Sequence, residues 1–178
     1  MKKTLLIIGA MTVLQVAPVA NAGTATGAIA ATLIITTGCY VNDGTSTGNM
    51  SNLGTINFGS VSDLTAPRNV TFSGTTDGSL SLYCSNNTPY TISIDNGLHN
   101  NSGQRRLTGG TSAFVNYNLY KDSAMAQPWD STPTTGTQSG TGAGLSTAIP
   151  LIIYAQVPIQ TTPLVGTYTD TVTVAVTW

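Results

Sequence analysis

The chain has 178 residues, only 7% of them charged, and all seven of its acidic residues are Asp. Six Lys and Arg in all are too few to neutralise a run of phosphates, which excludes nucleic acid as a partner. A single His, His99, and two Cys supply neither a metal-ligand cluster nor more than one candidate base, so no cofactor is expected and the chain does not read as an enzyme.

Residues 1–22 read as a secretory signal peptide. Lys2 and Lys3 supply positive charge, residues 4–19 form an apolar run too short for a membrane span, and Ala20-Asn21-Ala22 is a small-x-small cleavage site. Cleavage after Ala22 leaves four cations against seven Asp, a net charge of about −3, on a chain long enough to bury one domain's core. Thr, Ser, Gly and Asn replace the missing charge, a surface suited to packing against copies of itself.

Residues 23–37 come next. Gly23-Thr24-Ala25-Thr26-Gly27 is polar and flexible. Then Ile29, Ala31, Leu33 and Ile35 fall on one face of an extended run, and Ala28, Ala30, Thr32 and Ile34 on the other. The pattern fits the first strand of a sandwich or a strand offered to another chain. Cys39 and Cys84 follow. In an oxidising compartment an even pair points to one disulfide, and their separation and the lone His weaken the metal or redox alternative. Closing that loop stabilises by roughly 4 kcal/mol.

Period-two runs rich in Val, Ile, Thr and Tyr then recur at 70–72, 80–84, 90–94, 113–120, 149–155 and 167–178. Turn clusters separate them: Asn42-Asp43-Gly44, Thr76-Asp77-Gly78, Ser85-Asn86-Asn87, Asp95-Asn96-Gly97 and Asn101-Ser102-Gly103. Short strands at this spacing predict an all-β sandwich or barrel. His99 sits in a turn-rich stretch and reads as a solvated loop residue, and Arg105-Arg106 as a solvated pair or, for one of the two, a loop anchor. The Thr/Gly/Ser tract 131–144 predicts a long mobile surface loop. Tyr and Trp fall mostly at strand spacing, which favours core packing over a sugar-binding platform.

In the last run Val172, Val174, Val176 and Trp178 share one face, and Thr171, Thr173 and Thr177 the other. None of the devices that blunt an exposed edge, a Pro, a Lys or a bulge, appears there. Either an earlier strand covers that edge or another chain does.

Several pieces then stand in a specific order and spacing: Thr37-Gly38-Cys39, Leu53-Gly54-Thr55-Ile56-Asn57-Phe58-Gly59, Gly78-Ser79-Leu80-Ser81-Leu82-Tyr83-Cys84, Pro89-Tyr90-Thr91-Ile92-Ser93-Ile94-Asp95-Asn96-Gly97, Arg106-Leu107, Tyr117-Asn118-Leu119-Tyr120-Lys121-Asp122, Trp129, and Gly166-Thr167-Tyr168-Thr169-Asp170-Thr171-Val172. Together they resemble the spore coat protein U domain family, and in particular the pilin subunits of archaic chaperone–usher pili. Trp129-Asp130-Ser131 departs from the Trp-Gly-Asp common in the family.

The resemblance implies an incomplete immunoglobulin-like β-sandwich over residues 38–178 that lacks its last strand. A periplasmic chaperone would lend a strand to it, and at an outer-membrane usher the N-terminal segment of another subunit would replace that strand. Carried onto this sequence, the donor residues are Ile29, Ala31, Leu33 and Ile35. The acceptor edge includes Val172, Val174, Val176 and Trp178, and Cys39–Cys84 matches the family disulfide. The implied function is a structural pilus subunit at the cell surface, polymerising with copies of itself or related pilins and serving adhesion and biofilm formation. A single domain carrying its own donor segment suits a rod or adaptor subunit. The alternatives are a coat protein assembled on spores and a secreted monomeric carbohydrate-binding sandwich.

Overall fold

The computed structural model describes residues 26–42, 47–48, 53–74, 80–109 and 112–178. The expected signal peptide and its cleavage site lie outside the described residues. The chain divides into two units, Met1–Ile34 and Ile35–Trp178. In the first, residues 26–34 form no strand and are exposed, with Ile29 at 96% and Leu33 at 83% of full exposure.

The second unit is all-β, with no helix among the described residues. Its strands are β1 (Cys39–Asn42), β2 (Thr47–Gly48), β3 (Arg68–Phe72), β4 (Ser81–Cys84), β5 (Pro89–Ile94), β6 (Arg105–Thr108), β7 (Phe114–Tyr120), β8 (Gln138–Thr141), β9 (Ile149–Pro150), β10 (Ile153–Val157) and β11 (Val174–Thr177). They form three antiparallel sheets in the orders β2-β1-β4-β9, β3-β10-β7-β6 and β11-β5-β8.

Alternation decides what lies inside. Tyr90, Ile92 and Ile94 of β5, Val115, Tyr117 and Leu119 of β7, and Ile153, Ala155 and Val157 of β10 are buried, while the residues between them are not. All three sheets contribute to one core, around a fully buried Trp129. The turn at Asn101-Ser102-Gly103-Gln104 joins its flanks by reciprocal bonds between Asn101 and Gln104. Ser102 and Gly103 both have positive φ, 50° and 88°, the mirror-image turn that matches strand twist. Cys39 and Cys84 are register partners on β1 and β4 and form the disulfide across 4.1 Å between Cα atoms.

Three expectations need correction. The run 149–155 is not one strand: β9 and Leu151 follow β4, and β10 then joins β3 and β7, so the chain switches sheets at Ile152. Such a switch lets one strand close a corner between two packed sheets. The tract 131–144 is not a free loop. Its second half is β8, which extends the sheet on β5. Its first half is fastened by the Lys121 ammonium, which donates to the Thr135 and Thr137 carbonyls at 2.8 and 3.1 Å. The run 167–178 is strand only at Val174–Thr177, and individual hydrogen bonds hold the remainder.

The disulfide joins residues 45 apart in sequence. Replacing both Cys by Ser should lower the free energy of unfolding by roughly 4 kcal/mol, chiefly by freeing the unfolded chain. Denaturant titration of the two proteins side by side measures it, and equal midpoints would contradict it.

Candidate functional site

β11 lies at the edge of its sheet, with β5 as its one ladder partner among the described residues. The Thr173 carbonyl accepts from the Asp95 N–H at 3.0 Å, and the Thr171 carbonyl from the Leu98 N–H at 3.1 Å. Backbone polarity alternates along an extended chain. The N–H and C=O of Val172, Val174 and Val176 are therefore turned to the outer edge. Their side chains point to the core and are only half-buried there, against the apolar cluster. The edge thus presents outward-facing backbone groups and a partly covered apolar row together. Trp178, beyond the strand, is 55% exposed.

A second segment also carries a half-buried apolar row. Leu53, Ile56 and Phe58 are half-buried against the core, Thr55 and Asn57 are exposed, and none of these residues belongs to a strand. The Phe58 ring meets the Tyr117 ring edge-on at 6.1 Å, and the Tyr117 hydroxyl donates to Asp170 Oδ2 at 2.7 Å. Phe58 and the start of the last segment therefore flank one buried aromatic ring. The motif Leu53-Gly54-Thr55-Ile56-Asn57-Phe58 held part of that signal in the alternation of Ile56 and Phe58.

What fixes the last segment before it becomes a strand is a set of specific bonds. The Tyr168 hydroxyl donates to the Leu164 carbonyl four residues upstream at 2.6 Å. Its ring lies flat enough on the chain at Gly109 that a Cβ there would sit 2.5 Å from it. Thr169 exchanges both backbone bonds with Thr108 at the end of β6. Asp170 accepts from the His99 N–H at 3.2 Å and pairs with His99 Nδ1 at 2.8 Å, its own side chain 1% exposed. Asp95 Oδ1 accepts from the Thr173 N–H at 2.9 Å and the Gly97 N–H at 3.0 Å.

Two residues read from sequence as solvated are in fact partners in this region. His99 is held by Asp170, 71 residues further on. Arg105 is 5% exposed, and its guanidinium donates to the carbonyls of Ile94, Asp95 and Trp129. It therefore ties the end of β5 to the Trp129 segment. Burial pulls the Arg105 guanidinium below its ordinary value, opposed by Tyr117, Asp130, Asp95 and Asp170. The expected donor residues Ile29, Ala31, Leu33 and Ile35 are all exposed and in no strand. On the other face of the β11-β5-β8 sheet, Thr91, Ser93 and Ser139 line a shallow hollow.

Burial alone would raise the Asp95 carboxyl. The bonds from Thr173 and Gly97, with Arg105 nearby, outweigh it and hold the group below its ordinary 3.8. A carboxyl depressed by folding stabilises above its ordinary value, and that contribution is lost as pH falls through its lower folded value. Thermal midpoints measured against pH should fall more steeply below about pH 4 in the native chain than in Asp95→Asn. Parallel acid limbs would contradict the role of that carboxylate.

The Spore Coat Protein U domain matches residues 25–175 of the chain. Protein U of Myxococcus xanthus is 31% identical over 137 residues, covering 70% of this chain and 72% of that protein. Among solved structures, the chain is similar to one in the CsuC–CsuE chaperone–tip adhesion subunit pre-assembly complex from archaic chaperone–usher Csu pili of Acinetobacter baumannii. That likeness has 25% identity and a TM-score of 0.44, over 81% of this chain and 40% of that one. With most of its length matched and its alternating strands in place, the chain belongs to the Spore Coat Protein U domain family.

Proposed function

We propose that the chain is a structural, non-enzymatic subunit of a chaperone–usher pilus that polymerises by donor-strand exchange. Ile29, Ala31, Leu33 and Ile35 of one subunit would enter the cleft beside Val172, Val174, Val176 and Trp178 of another. The observation that carries this reading is the outer edge of β11, where outward backbone groups and a half-buried valine row occur together. Tyr168 supports it. In immunoglobulin-like sandwiches a tyrosine that bonds back to the chain just upstream marks the entry to strand F, which lies between strands C and G. Here β11 has β5 on one side and, among the described residues, no strand on the other.

The energetics are consistent with exchange. Ile29, Leu33 and Ile35 are 96%, 83% and 86% exposed. Burying each fully stabilises by roughly 1.5–3 kcal/mol, and each ladder bond adds roughly 0.5–1.5 kcal/mol. Ordering an extended segment costs roughly 1–2 kcal/mol per residue. A subunit left alone keeps an edge that invites other chains. This is why a periplasmic chaperone is expected to cover it until an outer-membrane usher delivers a donor. The route places the subunit at the cell surface, where the filament would serve adhesion and biofilm formation. The likeness to Protein U favours a second reading, in which the same exchange builds a coat. Filaments or a shell under immuno-electron microscopy separate the two.

Leu33→Asp should abolish polymers, because a carboxylate in an apolar pocket is strongly destabilising. Its acceptor edge is untouched, so it should still bind a native donor. Electrophoresis without boiling reads both. Native-length ladders from the variant would overturn the assigned donor face.

A further inference from the structure

We infer that Asp170 is the positioning residue of the acceptor edge: its carboxylate fixes the register of the last segment and so decides which side chains line the cleft. This rests on the donor-strand reading above.

Between the Thr169–Thr108 bridge and the first residue of β11 the chain belongs to no strand. Register there depends on individual bonds. Side-chain direction has a period of two, so a slip of one residue would turn Val172, Val174 and Val176 out and bring Thr171, Thr173 and Ala175 in. A row of hydroxyls and one methyl offers an apolar donor nothing to match.

Two carboxylates prevent that slip by reciprocal capture. Asp95, from the turn after β5, takes the Thr173 N–H, and Asp170, from the last segment, takes the His99 N–H. Asp170 also reaches a third element. It pairs with the His99 imidazole and accepts the Tyr117 hydroxyl from β7. Burial is the chief cause, and Asp170 the next, that pushes the Tyr117 hydroxyl well above its ordinary 10.0. The phenol therefore stays a donor. Tyr117 in turn carries Phe58 on its ring. One carboxylate thereby links the segment bearing the valine row to the ring on which the 53–58 segment rests.

The turn is shaped to admit it. Gly97 has φ +78°, and a Cβ there would stand 2.0 Å from Asp170 Oδ2. A buried carboxylate is expensive, and an apolar residue of similar size would fill the space more cheaply. What the carboxylate adds is directional bonding to two separate elements at one point of the chain.

The test separates positioning from mere stabilisation. The subunit is produced with its periplasmic chaperone, and the complex is mixed with a fluorescent peptide of residues 26–37. A second peptide carries the same residues with the two faces exchanged. The ratio of their uptake rates reports the register of the cleft. The native subunit should prefer the native peptide. Asp170→Asn should lower that preference about tenfold, the effect expected from losing charge-assisted bonds. Phe72→Ala, a core truncation on β3 at the opposite edge of its sheet from β6, should slow or destabilise without changing the ratio. If Asp170→Asn fails to accumulate, His99→Ala, which keeps the backbone donor, should show the same change to a smaller extent. An Asp170→Asn or His99→Ala ratio equal to the native one overturns the positioning role alone. A native ratio of one overturns the donor-strand reading and this role with it.

Discussion

A β-strand at a sheet edge must do something with its outward N–H and C=O groups. In β11 that need coincides with a second one. Val172, Val174 and Val176 carry the outward backbone groups and are also the residues whose side chains reach the core without being covered by it. Water satisfies the backbone but not the valines. A helix or loop laid across the edge would cover the valines but not continue the ladder. An extended segment with an apolar face meets both needs at once, and residues 29–35 have that pattern. The functional reading follows from this coincidence rather than from either feature alone.

Much of the surrounding fold serves to hold that edge in place. Arg105 takes three carbonyls where β5 ends and Trp129 enters the core. Asp95 and Asp170 cross-link the turn after β5 with the last segment, and Tyr168 sets the segment's entry. These polar groups are placed where the ladder is missing, at 95–99 and 168–173. Regular pairing resumes only at Val174. Only 7% of the chain's residues are charged, which limits charge repulsion between copies.

The strands with a buried face were legible because their alternation is strict, as at 90–94 and 113–120. The valine row was legible for the same reason. β8 was not. Gln138-Ser139-Gly140-Thr141 has no apolar face, and it pairs through backbone bonds against β5. Gly140 leaves room for Tyr90, whose hydroxyl oxygen lies 2.4 Å from where a Cβ would stand. The sequence offered a loop anchor at Arg105-Arg106 but neither which Arg nor what it holds, because the partners are carbonyls, which every residue has. The His99–Asp170 pair spans 71 positions, and no local pattern signals a contact between two polar side chains so far apart. The second row, at Leu53, Ile56 and Phe58, was visible as a motif but had no assigned place until the Tyr117 ring joined it to Asp170.

Amide hydrogen exchange along the last segment, compared between the chaperone-released subunit and its polymer, reads the central claim most directly. Thr173 and Ala175, whose backbone faces β5, should exchange slowly in both. Val172, Val174 and Val176 should exchange fast in the released subunit and slowly in the polymer. Protection of those three amides before assembly, or its absence after, would contradict an edge completed by another chain.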